Sequence, residues 1–160
     1  MLNVTLICVG KIKEKFYREA AEEYKKRLSR FCSLKLIEVK DEPTPDNGSD
    51  KEKNIVLEKE GARILEKIPK GAYVISLCVE GRQMPSERLA ETLDNLALGG
   101  TGSVAFIIGG SLGLSDEVKQ RSAMKLSFSQ MTFPHQLMRV VLLEQIYRAF
   151  TISKGITYHK

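Results

Sequence analysis

Five apolar runs, each followed by a stretch of helical period, divide this chain, and that alternation constrains its fold more than any other feature. Leu2–Val9, Leu34–Val39, Ala72–Val79, Ser103–Ile108 and Lys125–Ser129 read as strands. Between them, Glu14–Arg30 places Phe16, Ala20, Tyr24 and Leu28 at i, i+4, i+8 and i+12, one face of a helix. A second helix is predicted from a cap at Ser49 or Asp50 to about Lys67, and a third opens at Pro85-Ser86 and closes at Gly99-Gly100. A short fourth begins at Ser115-Asp116-Glu117, and a long fifth runs from Pro134–Gln136 to about Ile152. Strands alternating with helices predict an α/β fold, a mainly parallel sheet with helices on both faces, in one domain over residues 1–160. Ser103–Ile108 is almost wholly apolar, as a central parallel strand would be. The Pro/Gly/Asp-rich stretch Asp41–Ser49 reads as a mobile loop.

Composition narrows the class. No apolar run approaches the roughly 18–20 residues of a membrane span, and the opening strand has no basic leader, so a cytoplasmic address is expected. Three cysteines without a C-x-x-C pair point to reduced thiols and no zinc site. The net charge of +5 is unevenly spread. Residues 11–35 carry nine Lys/Arg against four Asp/Glu, and residues 118–160 carry seven against one, whereas residues 71–117 carry two against six. Basic ends around an acidic middle suit a polyanion held at one surface; a merely solvated first helix accounts for the charge equally well.

Ligands of open α/β sheets bind beyond the carboxyl ends of strands, and three such ends stand out. Leu77-Cys78-Val79-Glu80-Gly81 reads mostly as a turn in which Gly81 relaxes the backbone. Gly109-Gly110-Ser111-Leu112-Gly113 joins an apolar strand to a capped helix, and its glycines let backbone approach a ligand. Its spacing matches neither dinucleotide nor Walker fingerprints, and no lysine follows, so a neutral ring or ribose fits at least as well as a phosphate. Leu126–Gln136 mixes Phe128, Met131 and Phe133 with hydroxyls, the apolar walls and few polar groups that an aromatic base or thioether needs. Taken alone, it is equally a core segment and a helix start.

The two histidines are His135 and His159. His159 sits beside Tyr158 and Lys160 at the end of the chain, an unusual place for three functional side chains, and suggests a tail that docks. Glu144 is the single carboxylate side chain of residues 118–160. Its spacing from Arg148 also fits an ordinary helix-surface ion pair.

The run Ile107-Ile108-Gly109-Gly110-x-x-Gly113-Leu114 resembles the cofactor loop of the RlmH family of SPOUT methyltransferases. So do Leu126-Ser127-Phe128-Ser129-x-Met131-Thr132-Phe133-Pro134-His135, the following Arg139-Val140 and Leu143-Glu144-Gln145-x-Tyr147-Arg148-Ala149-Phe150, and the terminal Tyr158-His159-Lys160. The likeness extends over the whole chain. Many members of the family have Leu-Asp where this chain has Leu77-Cys78, and Pro before the terminal Tyr where it has Thr157. The resemblance implies a C-terminal trefoil knot, a homodimer, and S-adenosylmethionine as cofactor. The implied reaction is methylation of N3 of a pseudouridine in large-subunit (23S) ribosomal RNA, with the assembled ribosome as the expected partner. It also implies cofactor contacts at Leu77, Gly109, Phe128, Ser129, Gln130, Met131, Thr132 and Phe133.

On that reading His159 is the candidate base, histidine being the side-chain type suited to proton transfer near neutrality, with Glu144 as alternative proton acceptor or tail orienter and Tyr158 meeting the target base. Arg139, Lys160, Lys25, Lys26 and Arg27 are the candidate phosphate contacts. Two rivals remain. A non-catalytic basic RNA-binding module would use the same basic ends around a vestigial pocket, and a nucleotide-binding enzyme would use the glycine loop.

Overall fold

A computed structural model describes residues 1–160. The elements run β1 (Leu2–Val9), α1 (Lys15–Leu28), β2 (Cys32–Val39), α2 (Asp50–Lys67), β3 (Tyr73–Arg82), α3 (Ser86–Leu98), β4 (Ser103–Ile108), α4 (Asp116–Arg121), β5 (Met124–Leu126) and α5 (His135–Ser153). All five strands are parallel, in the order β2-β1-β4-β3-β5. No helix is long and apolar enough to cross a membrane.

The period of two divides β4 between two cores. Val104, Phe106 and Ile108 face one way with Val4 and Leu6, and there they meet Leu89, Leu93, Leu142, Leu143 and Ile146 of α3 and α5. Ala105 and Ile107 face the other way with Ile7 and Val9, against Ile64 of α2 and Val118 of α4. Burial on both faces explains why this strand has no polar alternation. Helix starts follow their caps. The Ser49 hydroxyl accepts from the Glu52 amide while the Glu52 carboxylate reaches back to the Ser49 amide, and Ser115 caps α4 through the Val118 amide.

Three features differ from the sequence expectations. First, β3 does not turn at Gly81 but continues to Arg82. Leu126 of β5 pairs with Leu77 and again with Arg82, and the Ser127 amide donates to the Arg82 carbonyl at 3.0 Å. Gly81 has no positive φ; a Cβ there would stand 2.8 Å from the backbone of Lys125 and Leu126. Glycine is needed because two backbones approach closely where the pairing is irregular, not because the chain turns. Second, β5 ends at Leu126, and Ser127–Pro134 is loop rather than strand. Third, the segment after β2 is fastened: the Glu42 amide donates to Glu60, Glu42 pairs with Arg63, and the Thr44 and Ser111 hydroxyls lie 3.1 Å apart. Cys8, Cys32 and Cys78 are buried and free.

Candidate active site

The carboxyl ends of β3, β4 and β5 open on a cleft of about 700 Å³. Leu77–Glu80 forms one wall, Ile108–Leu114 the floor, and Leu126–Ser129 with Met131–His135 the other wall. Of the expected cofactor contacts, Leu77, Gly109, Phe128, Ser129, Met131, Thr132 and Phe133 line it. Gln130 does not. The Ser127 hydroxyl donates to the Ser129 carbonyl and the Met131 amide to the Ser129 hydroxyl, a tight turn that leaves Gln130 exposed outside the lining.

The glycine loop is shaped by itself as well as for a ligand. Gly113 holds φ +86, its amide donates to the Gly110 carbonyl at 3.1 Å, and a Cβ on Gly109 would lie 2.3 Å from the Gly113 carbonyl oxygen. A larger residue at 109 therefore distorts the loop before it meets any ligand. Lys119 is the one Lys or Arg in the lining, and its ammonium is held by Glu80 at 2.6 Å. That hydrogen bond lowers the Glu80 pKa and raises that of Lys119. Burial, then the nearby Arg139 charge, lowers the His135 pKa and favours the neutral imidazole. Apolar walls, backbone groups of a glycine turn, and no free cation suit an adenosine-like ring without phosphates far better than a nucleotide. S-adenosylmethionine fits that description.

The tail lies elsewhere. Tyr158 packs edge-on against Tyr147, ring centroids 4.9 Å apart, and donates its hydroxyl to Glu144 Oε1 at 3.2 Å. Arg148 donates twice to the same oxygen, from Nε at 2.9 Å and Nη2 at 2.6 Å, and its guanidinium covers the Tyr158 ring. Arg148 Nη1 lies 3.1 Å from His159 Nδ1. Guanidinium only donates, so Nδ1 must accept, which puts the proton on Nε2, where it is donated to Glu87 of α3 at 2.6 Å. Burial, with Tyr24 and Glu144 beside it, pushes the Tyr158 phenol up to about 12, so it is a donor and not a base. The structure thus brings His159, Tyr158 and Glu144 together, and adds Arg148 and Glu87. Glu144 and Arg148 are legible as an i,i+4 pair. Glu87 is not, because it lies 72 residues from His159.

None of these tail groups lines the cleft, whose last α5 residue is Met138; Glu144 stands about 9 Å further along the helix. Among the cations, Arg139 cannot meet a phosphate. It is 1% exposed, donating from Nη1 to Glu38 at 2.6 Å and from Nη2 to the Gly10 carbonyl at 3.0 Å. Lys25 and Arg27 pair with Glu22 and Glu23, and Arg27 also covers the Tyr24 and Tyr147 rings. Lys26 and Lys160 are exposed.

Comparison with known proteins gives the family. Residues 2–159 match the family described as "Predicted SPOUT methyltransferase". The chain is 55% identical over 159 residues to the ribosomal RNA large subunit methyltransferase H of Clostridium novyi, covering 99% of this chain and 100% of that one. It is 56% identical to the Clostridium kluyveri protein of the same name, with the same coverage. The chain belongs to the RlmH family of SPOUT methyltransferases. A methylase-family protein of known structure from Haemophilus influenzae Rd KW20 superposes with a TM-score of 0.57 at 13% identity, over 99% of this chain and 71% of that one, which shows the SPOUT fold alone. The glycine loop and the Leu126–His135 segment meet in the cleft with Leu77–Glu80.

Proposed function

We propose that this protein is a cytoplasmic, homodimeric enzyme of one domain that methylates N3 of a pseudouridine in large-subunit ribosomal RNA, using S-adenosylmethionine. The carrying observation is the cleft: it is built from the family's cofactor segments and has no free cation for a phosphate. The relatives' names supply the ribosomal RNA, and the resemblance supplies the pseudouridine.

S-adenosylmethionine supplies a methyl group activated on a sulfonium. The protein's part is alignment and removal of the N3 proton, and alignment is the larger contribution to such a transfer. Leu77, Phe128 and Phe133 hold apolar surface, the turns at 109–113 and 127–131 offer backbone groups, and neutral His135 adds no charge to repel a cationic cofactor.

The proton acceptor comes from a second subunit. The tail does not reach its own cleft, and an apolar groove of about 690 Å³ adjoins that cleft, sharing Leu126, Ser127, Phe128, Phe133 and Met138 with it and continuing along Leu137 and Val141 of α5. A second copy of the chain covers this groove and presents Tyr158, His159 and Glu144, with Lys26, Lys160 and the cations of its α1 beside them. Glu144 holds Tyr158 and Arg148. His159 accepts the proton once its Nδ1 is released from Arg148 by the incoming RNA.

Mass mapping of ribosomal RNA from cells lacking this gene should show one pseudouridine without its methyl group, restored by the wild-type gene. An unchanged modification map overturns the proposal. Calorimetry should detect S-adenosylmethionine but neither ATP nor NAD; no cofactor binding at all would favour the RNA-binding module.

A further inference from the structure

From the β1–α1 connection into the first turn of α1 the chain reads Lys11-Ile12-Lys13-Glu14-Lys15-Phe16-Tyr17-Arg18, four cations against one carboxylate around two aromatic rings. Phe16 is 63% exposed, and Tyr17 tilts against it with centroids 4.4 Å apart. Lys11 and Lys13 are exposed and pair with no carboxylate, and the Arg18 guanidinium touches only the Lys13 carbonyl. Lys15 meets Glu19 at 3.6 Å with both side chains largely in water, a weak pairing. Asp41, from the loop after β2, lies beside Gly10.

The segment is held in place. Arg139 donates to the Gly10 carbonyl, and Glu38, its partner, accepts the Ile12 amide at 3.3 Å. The Lys13 amide donates to Gln136 Oε1 at 3.0 Å. Gln136 follows Pro134 and His135, which line the cleft, and the Lys13 charge is close enough to act on the His135 imidazole. Arg139 therefore serves as a positioning residue for a basic, aromatic segment at the cleft's edge.

We infer that Lys11–Arg18 is a contact surface for the substrate RNA beside the cleft, with Lys11 and Lys13 on phosphates and Phe16 stacked on an unpaired base next to the target. Free cations with an exposed ring match the two chemistries of single-stranded RNA, charge and a π face. The inference rests on the proposed RNA methylation and goes beyond it, because it adds a surface on the cofactor side, opposite to the tail's contribution.

The test uses the full-length dimer and ribosomes from cells lacking this gene, with methyl transfer, ribosome KM, salt dependence, S-adenosylmethionine affinity and sedimentation measured together. Lys11→Ala/Lys13→Ala should raise the ribosome KM roughly tenfold and flatten the slope of log affinity against log salt by about 1–2. Phe16→Ala should raise KM roughly five- to hundredfold, and Phe16→Trp should retain most of the binding. Cofactor affinity and sedimentation should be unchanged in all three. Variants with unaltered KM and salt slope beside an active wild type overturn this inference alone. A wild type that transfers no methyl group overturns the proposed activity and this surface with it. A Phe16→Ala protein that sediments as a monomer makes the ring an interface between copies, and overturns the stacking role.

Discussion

Burying a guanidinium costs several kcal/mol unless its donors are used, and Arg139 uses two of its nitrogens while Nε remains without a partner. That cost is accepted where it ties the end of β1 to the start of α5. The same neighbourhood sets the behaviour of His135. Its pKa lies below the ordinary 6.5, through burial first and the Arg139 charge second. A histidine that binds its proton more weakly when folded leaves stability whole above its unfolded value and lost as pH falls below about 6.5 toward the folded value. NMR titration should therefore give His135 a midpoint below 6.5. S-adenosylmethionine affinity should weaken over that same acid range, because a charged imidazole in the cleft opposes a cationic ligand. A His135→Asn variant should bind with a flatter pH dependence, and a midpoint at or above 6.5 would contradict the proposed neutral wall. Cys8, pushed up to about 12 mainly by burial, stays a thiol throughout.

At the scale of elements, local chemistry decides where helices start, and contact between backbones decides where β3 goes. The capping box at Ser49 makes α2 begin at Asp50, and Ser49→Ala should cost about 1 kcal/mol in urea denaturation. The close approach at Gly81 is a different constraint. An added Cβ meets main chain at 2.8 Å, which cannot rotate away as a side chain would. Gly81→Ala should lose about 1–3 kcal/mol, the usual cost of overpacking. Gly102→Ala, where a Cβ meets nothing within 4 Å and φ is not positive, should be close to neutral. Equal losses at both positions would show that the backbone approach at Gly81 is not tight.

For the whole molecule, the separation of tail and cleft is the informative fact. If each cleft is completed by the partner's tail, two differently inactive proteins rescue one another. A His159→Ala subunit keeps a good cleft, and a Leu77→Lys subunit keeps a good tail. Their heterodimer has one site with both parts intact. Since half of a randomly mixed population is heterodimeric, refolded mixtures should recover about a quarter of wild-type sites. Ribosomal methyl transfer by the mixture checks this, and no recovery in a mixture shown to contain heterodimers would place the tail in its own subunit's cleft.

Much of this architecture was local information and so legible in residue order. Period and caps placed ten elements, because a helix or strand forms from neighbours within a few residues of one another. The glycine loop and the Leu126–His135 segment stood out for the same reason, as short runs of unusual composition at strand ends. What the order of residues left open was every relation that depends on distant parts meeting. Arg139 looked like a phosphate ligand because a free arginine and one buried against Glu38, 101 residues away, have the same local sequence. Gly81 looked like a turn because glycine serves bends and close crossings alike. Glu87 carried no signal until α3 packed beside α5 and met His159. Tertiary packing alone decided these, since desolvation and pairing act through space and leave no period along the chain.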